Sequence, residues 1–341
     1  MKKTFFSLLT LFSLLVMFNA CSTDVDLYAD YKDITVVYGL LDSGADTNFI
    51  KINKAFLGPG NALTFAQIAD SSNYPGKLDA KIIEYRANAS GTHFQQTDVF
   101  PLDTITIHDK ETGVFYAPDQ LVYYTSKKIK NNSDLYNYRY ELQIDRGDSI
   151  ISAVTDMVGG GSFTVIQGAF NFSSTASSGG VVSWLPCPNA AVYEVVFKFH
   201  FIEAKGSDSV ERVMTWPLGW HPTYQLTYNN GVYSVPFTPA MFYINIADML
   251  GDDTLDPDVE RLIYEPSLEV SIAAGGDDLY NFITVNGPSN SIVQTIPEYT
   301  NVKGGYGVFS SRTLLTKWVR LSGSTIPELK DREYWHFRQV K

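Results

Sequence analysis

From residue 34 onward, side chains alternate with the period of an extended strand. Ile34, Val36, Tyr38 and Leu40 are set against Thr35, Val37 and Gly39, and residues 48–53 resume the alternation through Phe49, Ile50 and Ile52. Asp42-Ser43-Gly44 between them is turn chemistry, so the pattern predicts two paired, half-buried strands. Similar runs predict strands over 80–86, 103–108, 113–117, 137–145 and 149–154. Short strands separated by turns every 8–12 residues favour a sandwich of sheets. Residues 56–79 interrupt this rhythm with Leu57-Gly58-Pro59-Gly60 and a weakly helical 62–69. An insertion of that length is a place for a functional loop or for a cover over a sheet edge.

Gly159-Gly160-Gly161 is the strongest punctuation in the chain and reads as a flexible joint. Beyond it, 162–172 is a candidate strand pair, and Val181-Val182-Ser183-Trp184 leads through prolines into a strand opening at Ala190-Ala191-Val192-Tyr193. That tryptophan, turn and tyrosine-led strand resemble a fibronectin type III domain, and the resemblance implies that Trp184 packs in a core. Thr238-Pro239 predicts a helix start, with Phe242, Ile246 and Met249 or Leu250 at helical spacing. Asp256-Pro257 predicts a second, shorter helix, 277–283 a third and 327–337 a terminal one; 268–273 and 307–321 return to strand. The expected architecture is mainly β: two immunoglobulin- or fibronectin-like β-sandwich domains, 34–158 and 162–341, the second decorated with short helices.

The first 33 residues follow another pattern. Lys2 and Lys3 precede an apolar run from Phe5 to Phe18, then Asn19-Ala20-Cys21. This is a secretory signal over 1–20, too short to read as a membrane span. A cysteine directly after a small residue makes it a lipobox, from which Phe18 departs, with Cys21 as the lipidated residue and 21–33 as tether and spacer. The expected location is the outer membrane, lipid-anchored, at its periplasmic face or on the cell surface, where Asp24 and Asp26 are a diluted form of an export signal. Net charge is −11, and −13 once residues 1–20, with two lysines and no acid, are removed. Such a body is repelled by phosphate backbones, which argues against nucleic acid as a partner and leaves membrane attachment to the lipid. Of the two cysteines, Cys187 is left without a partner, so no disulfide is expected.

Tyr299-Thr300-Asn301-Val302-Lys303-Gly304-Gly305-Tyr306-Gly307-Val308-Phe309, together with the lipobox and the strands at 34–40 and 138–144, resembles a lipoprotein family of the Bacteroidota built on a domain of unknown function. Its members are commonly encoded beside TonB-dependent outer-membrane receptors, which implies an uptake setting and an outer-membrane receptor or other envelope protein as partner. The resemblance carries over no catalytic residue. Physically, Gly304, Gly305 and Gly307 allow positive φ and close backbone approach, and a tight turn or bulge is the favoured reading.

Candidate chemistry is sparse. Five histidines stand at spacings that match no metal motif, and no Gly-x-Ser-x-Gly elbow occurs. The acidic run 252–260 crowds oxygen ligands but lacks the glycine of a calcium loop, and Asp256 reads as a helix cap. No metal and no cofactor are expected. The aromatic run 216–224 is the candidate recognition element, with a packed core strand that buries both tryptophans as the alternative: Trp216, Trp220, His221 and Tyr224 lie among Pro217, Gly219 and Pro222 with no full charge. Aromatic faces with a polar handle suit a protein or glycan surface. The reading is a noncatalytic envelope lipoprotein, an accessory or binding component of an uptake or export complex. An envelope hydrolase of glycans or peptides built from dispersed acids, and a structural or adhesive surface protein, stay open beside it.

Overall fold

The computed structural model of the chain describes residues 32–57, 61–88, 90–173, 179–251, 256–287 and 298–340. The signal, Cys21, the spacer up to residue 31, Gly58 to Gly60 and Asp252 to Leu255 lie outside the described residues. The first half carries β1 (Lys32–Asp42), β2 (Asn48–Leu57), β3 (Asp79–Asn88), β4 (Gln95–Pro101), β5 (Asp103–Ile107), β6 (Gln120–Thr125), β7 (Tyr136–Asp145) and β8 (Ile150–Asp156). The second carries β9 (Ala169–Phe170), β10 (Gly180–Trp184), β11 (Val192–Lys205), β12 (Asp208–Pro222), β13 (Thr227–Asn229), β14 (Val232–Phe237), β15 (Val259–Tyr264), β16 (Leu268–Gly275), β17 (Val302–Lys303), β18 (Gly305–Leu321) and β19 (Phe337–Val340). Short helices are α1 (Ala62–Ala66), α2 (Ala69–Ser72), α3 (Ala240–Leu250), α4 (Asp277–Asn286) and α5 (Thr325–Asp331). The protein is mainly β, its sheets in a sandwich-like arrangement with few short helices.

Two cores organise the strands. In the first, the sheet β17-β8-β7-β3-β4 faces the run β18-β1-β2-β6-β5. Alternation supplies it: Tyr138, Tyr140, Leu142 and Ile144 of β7 are buried and meet Val37, Leu41, Ile50 and Ile52. Each fully buried aliphatic side chain contributes about 1.5–3 kcal/mol. In the second core, Tyr193, Val195, Phe197, Phe199 and Phe201 alternate along β11 and pack under the small sheet β10-β14-β13 and α3. Trp184 is fully buried, its ring 5.3 Å from that of Tyr193, as its resemblance implied. Phe242, Ile246 and Leu250 of α3 face inward at the expected spacing, although Pro239 occupies the N-cap position and Thr238 makes no side-chain cap.

Strand β18 belongs to both cores. Residues 305–312 pair in parallel with β1, from Thr35↔Gly305 to Asp42↔Arg312, and 312–319 pair antiparallel with β16, from Gly275↔Arg312 to Leu268↔Val319. Val302 and Phe309 accordingly sit in the first core, although they lie far beyond residue 158 in the chain. The glycines of this segment are there for close approach. Gly304 turns the chain from β17 to β18 at φ +79°, and a Cβ on Gly307 (φ +107°) would stand 1.9 Å from the Val37 carbonyl oxygen.

Several expectations are corrected. The 159–161 joint is packed, not a solvated hinge: Gly159 is buried, a Cβ on Gly160 would meet the Asn132 carbonyl oxygen at 2.0 Å, and Asn132 Nδ2 donates to the Gly159 oxygen at 3.1 Å. Residues 113–117 are a loop, because the Tyr116 amide is bonded to Ala66 beside α1 instead of to a strand. Asp256 starts no helix; its carboxylate accepts from the Asp258 amide at 3.0 Å and from Lys205 at 2.6 Å, and the chain turns directly into β15. Of 162–172, only Val165 bridges Trp184 and Ala169–Phe170 joins β18. The terminal helix ends at Asp331; His336 takes φ +50°, and Phe337 enters the second core on β19.

Candidate functional site: an aromatic sheet edge and a lysine-lined groove

The aromatic run lies on β12 and the turn after it. β12 pairs with β11 alone, so it is a sheet edge, with a bulge at Leu218 between Val195↔Gly219 and Val196↔Pro217. Proline and a bulge on an edge strand block further strand pairing there. The bulge shifts the alternation by one residue and so divides the predicted residues. Trp216 is 7 % exposed and packs on Phe197 (5.4 Å), Phe237 and Phe172, so it is a core residue and not the contact residue expected of it. Trp220 is 51 % exposed and Tyr224 73 % exposed, the latter placing its hydroxyl 3.0 Å from that of Tyr280 on α4. His221 is half-buried and donates from Nε2 to the Leu218 oxygen at 3.1 Å. Burial lowers its pKa, and that hydrogen bond opposes the shift without overcoming it. The structure therefore brings Tyr224 together with Tyr280 at the surface and removes Trp216 to the interior.

Other chemistry is occupied. Cys187 is buried and its thiol is pushed up to about 12 by burial, chiefly, against one backbone hydrogen bond. His200 lies over Trp318 (4.6 Å) between Glu211 at 2.9 Å and Glu269 at 3.5 Å, and Glu269 is also held by Lys198 at 2.8 Å and Ser271 at 2.6 Å. Burial pushes the Glu269 carboxyl upward, but these hydrogen bonds outweigh it and leave its pKa lowered. Glu84, fully buried, accepts from Lys130 (2.7 Å), Thr97 (2.6 Å) and Tyr140 (3.2 Å), a satisfied network inside the first sandwich.

A groove lies on the outer face of β1 and β2. The 61–72 insertion covers it: Asn53 of β2 donates to the Ser72 oxygen and to Asn73 Oδ1, both at 3.0 Å, which docks α2 on the sheet. Residues 110–116 form the remaining wall, tied to α1 by the Tyr116–Ala66 backbone bond and by Gln67 Nε2 to the Gly113 and Val114 oxygens. The cavity is about 540 Å³, with Val36, Tyr38, Leu63, Val114 and Phe115 among its lining. Lys51, Lys54 and Lys110 line it as well, with no acidic residue among the described lining residues. The length of the 56–79 insertion pointed to a functional loop or an edge cover here, but nothing along the chain placed Lys51, Val114 and Phe115 beside it.

No family model matches the chain, and no curated protein matches it.

Proposed function

We propose that this chain is a noncatalytic cell-envelope lipoprotein, anchored to the outer membrane by lipid on Cys21, whose β body serves as an accessory or binding component of an uptake or export complex. The observation that carries the reading is the order of residues at the start of the chain: two lysines, an apolar run, Ala20 and then Cys21. Two features of the fold support it. The second thiol, Cys187, is buried and protonated at neutral pH, so Cys21 is the cysteine open to acylation. The exposed aromatics Trp220 and Tyr224 at a sheet edge offer a partner surface of the composition that recognition patches favour.

Growth with an alkyne fatty-acid analogue should label the wild-type chain and leave Cys21→Ala unlabelled. Label retained by Cys21→Ala overturns the tether. Crosslinking in intact cells should then recover an outer-membrane protein with the wild type. Recovery of none would favour the structural or adhesive reading.

A further inference from the structure

The groove over β1 and β2 combines features that a mere surface dent lacks. Leu63, Val114 and Phe115 are 64 %, 55 % and 58 % exposed, so three apolar side chains from two separate segments converge on one opening. Exposed apolar surface gathered in one place, not scattered, marks a contact site. The volume of about 540 Å³ falls within the roughly 300–1,000 Å³ of small-molecule pockets.

Its charge is as specific as its shape. The chain carries 37 acidic and 26 basic residues, yet the described residues lining the groove include three lysines and no acid. Lys54 is already engaged, 3.6 Å from Asp33 and over the Tyr74 ring. Lys110 donates to the Tyr116 oxygen at 2.5 Å, which aims it along the wall. Lys51, opposite Tyr38 in the β1–β2 register, is half-buried and makes no ion pair or hydrogen bond among the described residues. Burial, with the Lys110 charge adding to it, holds its pKa below the ordinary lysine value. Partly withdrawn from water and with no counter-ion among the described residues, this ammonium is left free to take one from a ligand. The complement of an apolar trough with such an ammonium at its wall is a single molecule with an apolar body and one anionic end.

We propose that this groove binds a free long-chain fatty carboxylate, its hydrocarbon chain against Tyr38, Leu63, Val114 and Phe115 and its carboxylate on Lys51, with Lys110 contributing to the field. A peptide is less well served, since the lining offers few polar groups for a backbone. The inference deepens the reading of the chain as a binding protein by naming a ligand class. It does not depend on the tether, which the Cys21 labelling tests separately.

The test is calorimetric titration of the full chain carrying Cys21→Ala with dodecanoate below its micellar concentration. Dodecanol serves as the uncharged control and acetate as the chainless one. One dodecanoate should bind per chain, acetate should not bind, and dodecanol should bind at least ten-fold more weakly. Lys51→Met should weaken dodecanoate about ten-fold, and Phe115→Ser should weaken it without touching the ammonium. Both side chains reach solvent, so circular dichroism should show both variants folded. Absence of dodecanoate binding overturns the proposal, as does equal binding of dodecanol or an unchanged affinity in Lys51→Met. Association with phosphatidylglycerol vesicles while free dodecanoate fails to bind would assign the groove to a membrane surface and overturn it too.

Discussion

The side-chain amide of Asn301 takes both backbone groups of Phe309: Phe309 N donates to Oδ1 at 3.0 Å, and Nδ2 donates to the Phe309 oxygen at 2.7 Å. The pair works like one rung of a sheet ladder made by a side chain. It closes the loop through which the chain passes from the β8 sheet to β1, around the turn at Gly304. Phe309 is fully buried, so no water can substitute.

Asn301→Ala should therefore leave two backbone groups unsatisfied and cost about 2–4 kcal/mol. Urea unfolding followed by tyrosine and tryptophan fluorescence measures it. A loss below about 0.5 kcal/mol, the range of ordinary surface changes, would show the rung to be dispensable.

Gly307→Ala should be more damaging. The added methyl would collide with the Val37 backbone at a φ that L-residues avoid, so β18 would have to leave β1. Strain and overpacking together put the cost at about 3–5 kcal/mol. Thermal unfolding of this variant beside Gly76→Ala, a glycine without positive φ whose added Cβ would have nothing within 4 Å, separates close approach from a general glycine effect.

Trp216 and Trp220, four residues apart on one edge strand, should behave oppositely. Trp216→Ala opens a void among Phe172, Phe197 and Phe237 and should cost about 3–5 kcal/mol. Trp220→Ala should stay within about 0.5 kcal/mol and, if the edge is a recognition surface, reduce partner crosslinking in cells. A large stability loss from Trp220→Ala would place that residue in the core as well.

His221 should make stability pH-dependent. Its folded pKa lies below the ordinary 6.5, so the unfolded chain binds the proton more readily. Its contribution is intact above about 6.5 and is lost as pH falls from there through the folded value. His221→Gln should accordingly lose less Tm between pH 7 and pH 5 than the wild type. An identical or steeper loss in the variant would contradict the desolvated, neutral imidazole.

What depends on neighbours along the chain is legible in the order of residues. Period-two alternation marked β1, β2, β3, β7, β8, β11 and β16, because a strand with one buried face must repeat every second residue. The 3.6 period marked Phe242 and Ile246 on α3 in the same way and left Met249 or Leu250 as the third position, of which the fold buries Leu250. The residue order also showed that 304–307 had to turn or approach closely, since only glycine tolerates either. Tertiary structure decided which backbone the glycines would meet and to which core β18 would belong, for β1 lies some 270 residues earlier and pairing at that distance leaves no local period. It decided that Trp216 goes in while Trp220 stays out, through a one-residue bulge at Leu218 that the sequence does not announce. It also gathered Lys51, Leu63 and Phe115, each unremarkable alone, around one groove, because an insertion folds back over the face of the sheet it interrupts.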